Sequence, residues 1–153
     1  MNNRYLFKAK KKNWQELPKD EQWVQGYLFD DGFENGRMFV GGLVVEKYTG
    51  TACDDWTVTG INFYEIDPST ICQCTGLKDK NGKLIWENDV VKDEHGNLYK
   101  AFWQNNYYQF SWVCVKSEIF RIGVKWDLYG LRSFEIEVVG NIFDNSELIE
   151  SEE

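Results

Sequence analysis

Three carboxylates, Asp79, Glu87 and Asp89, fall within one stretch, TGLKDKNGKLIWENDVV, at residues 75–91. Paired carboxylates can act as general acid and base when a pocket sets their pKa values apart, and closely spaced oxygen ligands can hold calcium. The spacing favours neither chemistry. With Asp79 and Asn81 as first and third ligands of a calcium loop, Lys83 falls at the fifth position. Gly82 then arrives at the fourth position instead of the sixth, and Val90 stands at the twelfth, where a bidentate Glu is required. Local backbone needs account for the same residues. Asp79 can accept the amides two and three positions on, Asn81 suits a late turn position, and Gly82 takes positive φ without steric cost. In the same way Glu87-Asn88-Asp89 reads as a turn between strands, with Asn88 left-handed and the flanking carboxylates capping exposed amides.

Other reactive side chains are few. The chain has four cysteines, Cys53, Cys72, Cys74 and Cys114, and one histidine, His95. Cys72 and Cys74 are separated by one residue, where zinc ribbons use two, so a metal is not expected. Cys114 alternates with Tyr108, Phe110 and Trp112 and reads as a small core residue. Phosphate-cradling, dinucleotide, nucleophile-elbow and zinc-protease motifs are all missing. The expectation is no catalytic residue, no cofactor, no metal and no enzymatic activity.

The elements that position these residues read as mainly β. The 153 residues are 42% hydrophobic and 16% aromatic, enough to build a core, and only two are proline. Strands are predicted at 23–29, 38–48 and 56–66, with turns in DDGFENG and GTACDD. Three more follow in NDVVKDEHGNLYKAFWQNNYYQFSWVCV, turning at His95-Gly96-Asn97 and at Asn105-Asn106. SEIFRIGVKWDLYGL reads as a short helix or broken strands. SFEIEVVGNIF (133–143) reads as a closing strand, with Phe134, Ile136 and Val138 on one face. KNWQELPKDEQW suggests a loop or one helical turn, and the end suggests a short helical turn opened by Asp144 before an acidic tail.

Net charge is −8 and unevenly placed: +5 over residues 1–12, −8 over 13–67, zero over 68–143 and −5 over 144–153. The change near Pro68 divides the chain into an acidic β-rich region, 1–67, and a C-terminal domain, 68–153. No run reaches the roughly 18 residues needed to cross a bilayer, and no signal-peptide pattern opens the chain, so a cytoplasmic protein is expected.

Thr70-Ile71, Gln73, Thr75-Gly76-Leu77-Lys78-Asp79-Lys80-Asn81-Gly82-Lys83, Ile85, Glu87 and Asp89-Val90-Val91 together resemble the signature of the YopX family of phage and prophage proteins. Glu137-Val138-Val139-Gly140-Asn141-Ile142-Phe143 with Asn145 and Glu147-Leu148 resembles its closing motif, and WVQGYLF its opening one. Cys72, Cys74, Asn88 and Ser146 depart from the family pattern. The resemblance implies a C-terminal SH3-like barrel and a phage or prophage origin, and brings no catalytic residue with it.

A protein-interaction or regulatory module is therefore expected, with a protein partner or a second copy of the chain. Glu16, Asp20, Glu21, Asp30, Asp31, Glu34, Asp54 and Asp55 should form an exposed acidic surface, since burying them unpaired is costly. That surface could receive a basic partner, or the Lys8 to Lys12 arm of a neighbouring copy. The alternative is a nucleic-acid-binding barrel in which Trp86, Trp103 or Tyr107 stack on bases. The acidic balance opposes it, because phosphate would be repelled everywhere except at Lys8 to Lys12.

Overall fold

A computed structural model describes residues 3–48 and 55–149. The chain is mainly β, with antiparallel sheets, short 3-10 turns and no α-helix among the described residues. It divides into two compact units, Tyr5–Ile71 and Met1–Arg4 with Cys72–Glu153.

The first unit is an antiparallel meander of β1 (Phe7–Lys10), β2 (Trp23–Asp30), β3 (Met38–Tyr48) and β4 (Asp55–Glu65). β1 is absent from the sequence expectation, which left the lysines as a loose arm. The strand forms because Phe7 and Ala9 alternate inward, with Ala9 in a core beside Val40, Ile66, Val24 and Leu28. The intervening Lys8 and Lys10 lie against aromatic rings: the Nζ of Lys8 is 5.1 Å from the centre of Trp23, and that of Lys10 is 3.9 Å from the centre of Trp14. Lys10 is 1% exposed and donates to the Gln22 side chain at 2.9 Å. Lys11 forms an isolated bridge with Ile66 just beyond β4. The segment between β1 and β2 makes two 3-10 turns, at Trp14–Glu16 and Lys19–Glu21.

The second unit begins with the hairpin β5 (Cys72–Lys78) and β6 (Leu84–Trp86), turning at Asp79 to Gly82 as expected. A five-stranded antiparallel sheet follows in the order β10 (Lys125–Asp127), β9 (Gln109–Lys116), β8 (Leu98–Gln104), β7 (Asp89–Lys92), β11 (Glu137–Asn141). The sheet is open, with β10 and β11 at its edges. One face buries Val91, Tyr99, Ala101, Trp112 and Cys114 against Ile85 and Ile136. The other buries Val90, Leu98 and Val115 against Val139, Ile142 and Leu148. Alternate residues of the same strands feed two cores, which is why this region reads as nearly continuous apolar sequence.

Several expected boundaries shift. Residues 133–135 form a 3-10 turn, and the strand starts only at Glu137, so Phe134 is exposed while Ile136 is buried. The backbone around Ile136 turns because it bonds to another loop: the Lys80 amide donates to Ile136 O at 2.9 Å. At the β8–β9 connection the left-handed residue is Tyr108, at φ 51°, and neither Asn105 nor Asn106 has positive φ. The Tyr107 amide donates to Gln104 O, so the first turn closes early and the last loop residue must reverse the chain. Tyr108 accordingly lies outside β9 and is exposed, while Phe110, Trp112 and Cys114 point inward. SEIFRIGVKWDLYGL resolves into broken structure around the short β10. The final turn is Ser146–Leu148, capped at Asn145 and not at Asp144; the Asn145 side chain bonds instead to the Asn141 amide.

Candidate functional site

The long motif of residues 75–91 is a brace. Asp79 is 5% exposed; its Oδ1 accepts the amides of Asn81 and Lys83, each at 2.9 Å, and its Oδ2 accepts that of Val138 at 3.0 Å. Burial raises its pKa, but these amides and the Lys83 charge outweigh burial, so the carboxyl titrates below its ordinary value. Three of the carboxylate's roughly four acceptor sites are thus taken by its own backbone. Thr75 Oγ1 donates to Ile85 O at 2.7 Å and accepts the Leu77 amide, while Gly76, at φ 82°, absorbs the register shift between β5 and β6. Gly82 lies at φ 80° and Asn88 at φ 67°, as the turn chemistry requires. The Asn88 amide donates to Ala101 O, and its own carbonyl accepts from Ile142 N. Glu87 accepts the Gln73 amide at 3.4 Å, and Asp89 accepts that of Trp86 at 2.9 Å. Asp89 is buried, so the amide it caps is an interior one and not the exposed group expected.

The closing motif works similarly. Asn141 Oδ1 accepts the amides of Phe143 and Asp144, and a side chain at Gly140 would meet Asn145 and Leu148. Cys72, Cys74 and Cys114 are buried, and Cys53 lies outside the described residues. Among the described residues no three His, Cys, Asp or Glu side chains come together as a metal site. Of the candidate stacking residues, Trp86 is buried, Trp103 packs edge-on against Phe110 at 5.0 Å, and Tyr107 is exposed.

The acidic residues separate into groups. Glu16, Asp20 and Glu21 lie in the turns that precede β2, while Asp30, Asp31 and Glu34 lie where β2 ends. Asp31 is engaged locally: it accepts the Phe33 amide and pairs with Arg37 at 3.4 Å, and hydrogen bonding by Arg37 lowers its pKa. Asp54 lies outside the described residues, and Asp55 starts β4.

A different surface of this unit is apolar. The register pairs Phe29 with Phe39, Gly41 with Phe63 and Leu43 with Ile61, which puts all six on one face of β2, β3 and β4. Phe29, Phe39, Leu43, Ile61 and Phe63 line a shallow depression of about 560 Å³. Phe29 and Phe63 meet edge to face at 4.8 Å. Leu43 and Ile61 stand up from this face at 63% and 66% exposure. Val44, Val45 and Val58 are also half-exposed further along the β3–β4 ribbon, past the pairing with β2. Contiguous exposed apolar surface of this kind marks interaction sites. A sequence signal existed: MFVGGLVV is apolar at both alternating parities, more than one buried face needs.

A family model described as YopX protein matches residues 42–150, most of the chain. The chain belongs to the YopX family. The match takes in the brace of residues 75–91, the closing motif, and the outer part of β3 with all of β4. Within this YopX chain, Leu43, Ile61 and Phe63 of the apolar face fall inside the match, while Phe29 and Phe39 precede it. No curated protein sequence matches the chain.

Proposed function

We propose that this YopX-family chain is a non-enzymatic protein-interaction module that makes contact through the apolar face of β2, β3 and β4. The observation that carries this reading is the high exposure of Leu43 and Ile61 beside Phe29 and Phe63, in a chain whose carboxylate-rich motif is occupied by its own backbone. The basic run that offered phosphate contacts is engaged within its own unit: Lys8 on Trp23, Lys10 buried, Lys12 paired with Glu65 at 2.8 Å. This weighs against nucleic acid as the partner. We also read the second unit as an SH3-like arrangement, supported by the meander β7–β8–β9–β10 and the return of β11 beside β7. A phage or prophage origin and a regulatory role in the host cytoplasm belong to the same proposal.

The test replaces Leu43 and Ile61 together with lysine in full-length protein. Both side chains are mostly exposed, so far-UV circular dichroism should be unchanged. Immobilised native protein should retain lysate proteins that the double variant does not. Equal retention by the two would sink the reading.

A further inference from the structure

We infer that β4 takes an added strand along its open edge: an extended segment of another protein, apolar at alternate residues and ending in lysine or arginine. The inference rests on reading the face of β2, β3 and β4 as an interaction surface, and it names the form of the partner.

The register shows which backbone groups are open. The Ile66 amide donates to Met38 O at 3.0 Å, and the pairing of Phe39 with Glu65 makes Met38 and Ile66 opposite neighbours. Bonded and non-bonded pairs alternate along an antiparallel ladder, so Glu65, Phe63 and Ile61 turn their N–H and C=O groups away from β3. Glu65 bears this out, because its O accepts the Lys12 amide at 3.0 Å from the far side. Lys11 bridges Ile66 next to it, so the chain itself closes that end of the edge. Further back, no described residue bonds to the N–H or C=O of Ile61 or Phe63 from the open side. Such an edge is a template for another chain, and the 11 residues of β4 include no lysine, arginine or proline to discourage pairing.

The same two residues hold the edge and the apolar face together. Ile61 and Phe63 place their side chains beside Leu43 and Phe29. A strand added about 4.8 Å beyond β4 sets its alternate side chains against Ile61 and Phe63 as cross-strand pairs. Backbone bonds then supply affinity, and the apolar positions supply specificity.

Charge selects the partner. Where the β3–β4 ribbon begins and ends its pairing, Glu46, Asp54 and Asp55 stand against Lys47, within a region, 13–67, that carries −8. A lysine or arginine at the end of the added segment complements that excess. A second β4 edge brings acid at both of its ends and no base, so it lacks the complement.

The test pans a displayed library of random peptides of about ten residues on the full native chain. Enriched sequences should alternate apolar and polar residues and carry lysine or arginine at one end. Methylating the backbone nitrogens of an enriched peptide one at a time should weaken binding at least about tenfold at every second residue and little at those between. Ile61→Pro removes an outward amide without deleting a β3–β4 bond, so it should bind the peptide at least about tenfold more weakly than Ile61→Ala, with unchanged far-UV circular dichroism. No enrichment, enrichment without alternation, uniform tolerance of methylation, or equal binding by the two Ile61 variants overturns the inference. A native dimer that excludes the peptides also overturns it, since a second copy then holds the edge. If methylation has no alternating effect but Leu43→Lys/Ile61→Lys loses the peptides, edge pairing is wrong and the apolar interaction surface stands. If the double variant binds them as native protein does, both fall.

Discussion

Oδ2 of Asp79 accepts the backbone amide of Val138 at 3.0 Å, joining positions 59 apart in the sequence. The other oxygen holds the turn at Asn81 and Lys83, so a single carboxylate ties the β5–β6 hairpin to the start of β11. Lys80 reinforces the junction through Ile136 O and a 2.9 Å pair with Glu137.

Replacing Asp79 with Asn places an NH2 group against a backbone donor and should cost about 1–3 kcal/mol at neutral pH. The folded-state pKa of Asp79 lies below its unfolded value. Its stabilisation is therefore present above the unfolded value near pH 4 and is lost as pH falls through the folded one. Urea midpoints of the two proteins should differ at pH 7 and draw together as pH falls below the unfolded value and through the lower folded one. A constant gap across that range would show that the charge is not what Val138 needs.

Gly82 tests backbone strain by itself, and Asn88 tests it together with a weak 3.7 Å bond from its side chain to Cys72 Sγ. With Asn88 at φ 67°, Asn88→Gly should change stability by less than about 0.5 kcal/mol, and Asn88→Val should cost about 1–3 kcal/mol. A Cβ at Gly82 would have no neighbour within 4 Å, so any loss in Gly82→Val is conformational, again about 1–3 kcal/mol. An unchanged melting temperature for either valine variant contradicts the positive φ.

Gly41 has a different requirement. A Cβ there would run into Asn62 O and the Cα of Phe63, because β4 crosses β3 closely at this point. Gly41→Ala should cost at least about 2 kcal/mol. Gly60→Ala, where a Cβ meets open space, should be neutral or stabilising by up to about 1 kcal/mol. Thermal unfolding that ranked the two the other way would refute the close crossing.

Lys10 and Lys12 distinguish a structural strand from a loose arm. Lys10→Ala removes a buried stem, the bond to Gln22 and the contact with Trp14, and should cost about 1–3 kcal/mol. Lys12→Ala removes an exposed pair with Glu65 and should cost less than about 1 kcal/mol. Equal and negligible losses in urea titration would mean that the basic run is only a tail.

Turns and strand identities were legible because they depend on near neighbours. Asp79, Asn81 and Gly82 form a hairpin through backbone torsions and bonds spanning at most four positions. The left-handed conformation of Asn88 is a local preference of that residue type, and β2, β3 and β4 follow from runs of β-branched and aromatic residues. The motif through residues 75–91 likewise indicated the family that the match over 42–150 shows.

What sequence could not decide is which neighbour covers each face. Lys8 to Lys12 reads as a charged arm until Phe7 and Ala9 find Val24, Leu28 and Val40, after which Lys10 is enclosed by Trp14 and Trp23. Phe134 and Ile136 share a parity, yet one is exposed and one buried, because Lys80 and Asp79 capture the chain between them from a distant hairpin. The apolar face of Leu43 and Ile61 is chemically like any core strand; only the fold leaves it open. Local torsions and hydrogen bonds are set by residue type, whereas burial is set by what the rest of the chain brings alongside, and that is decided in three dimensions.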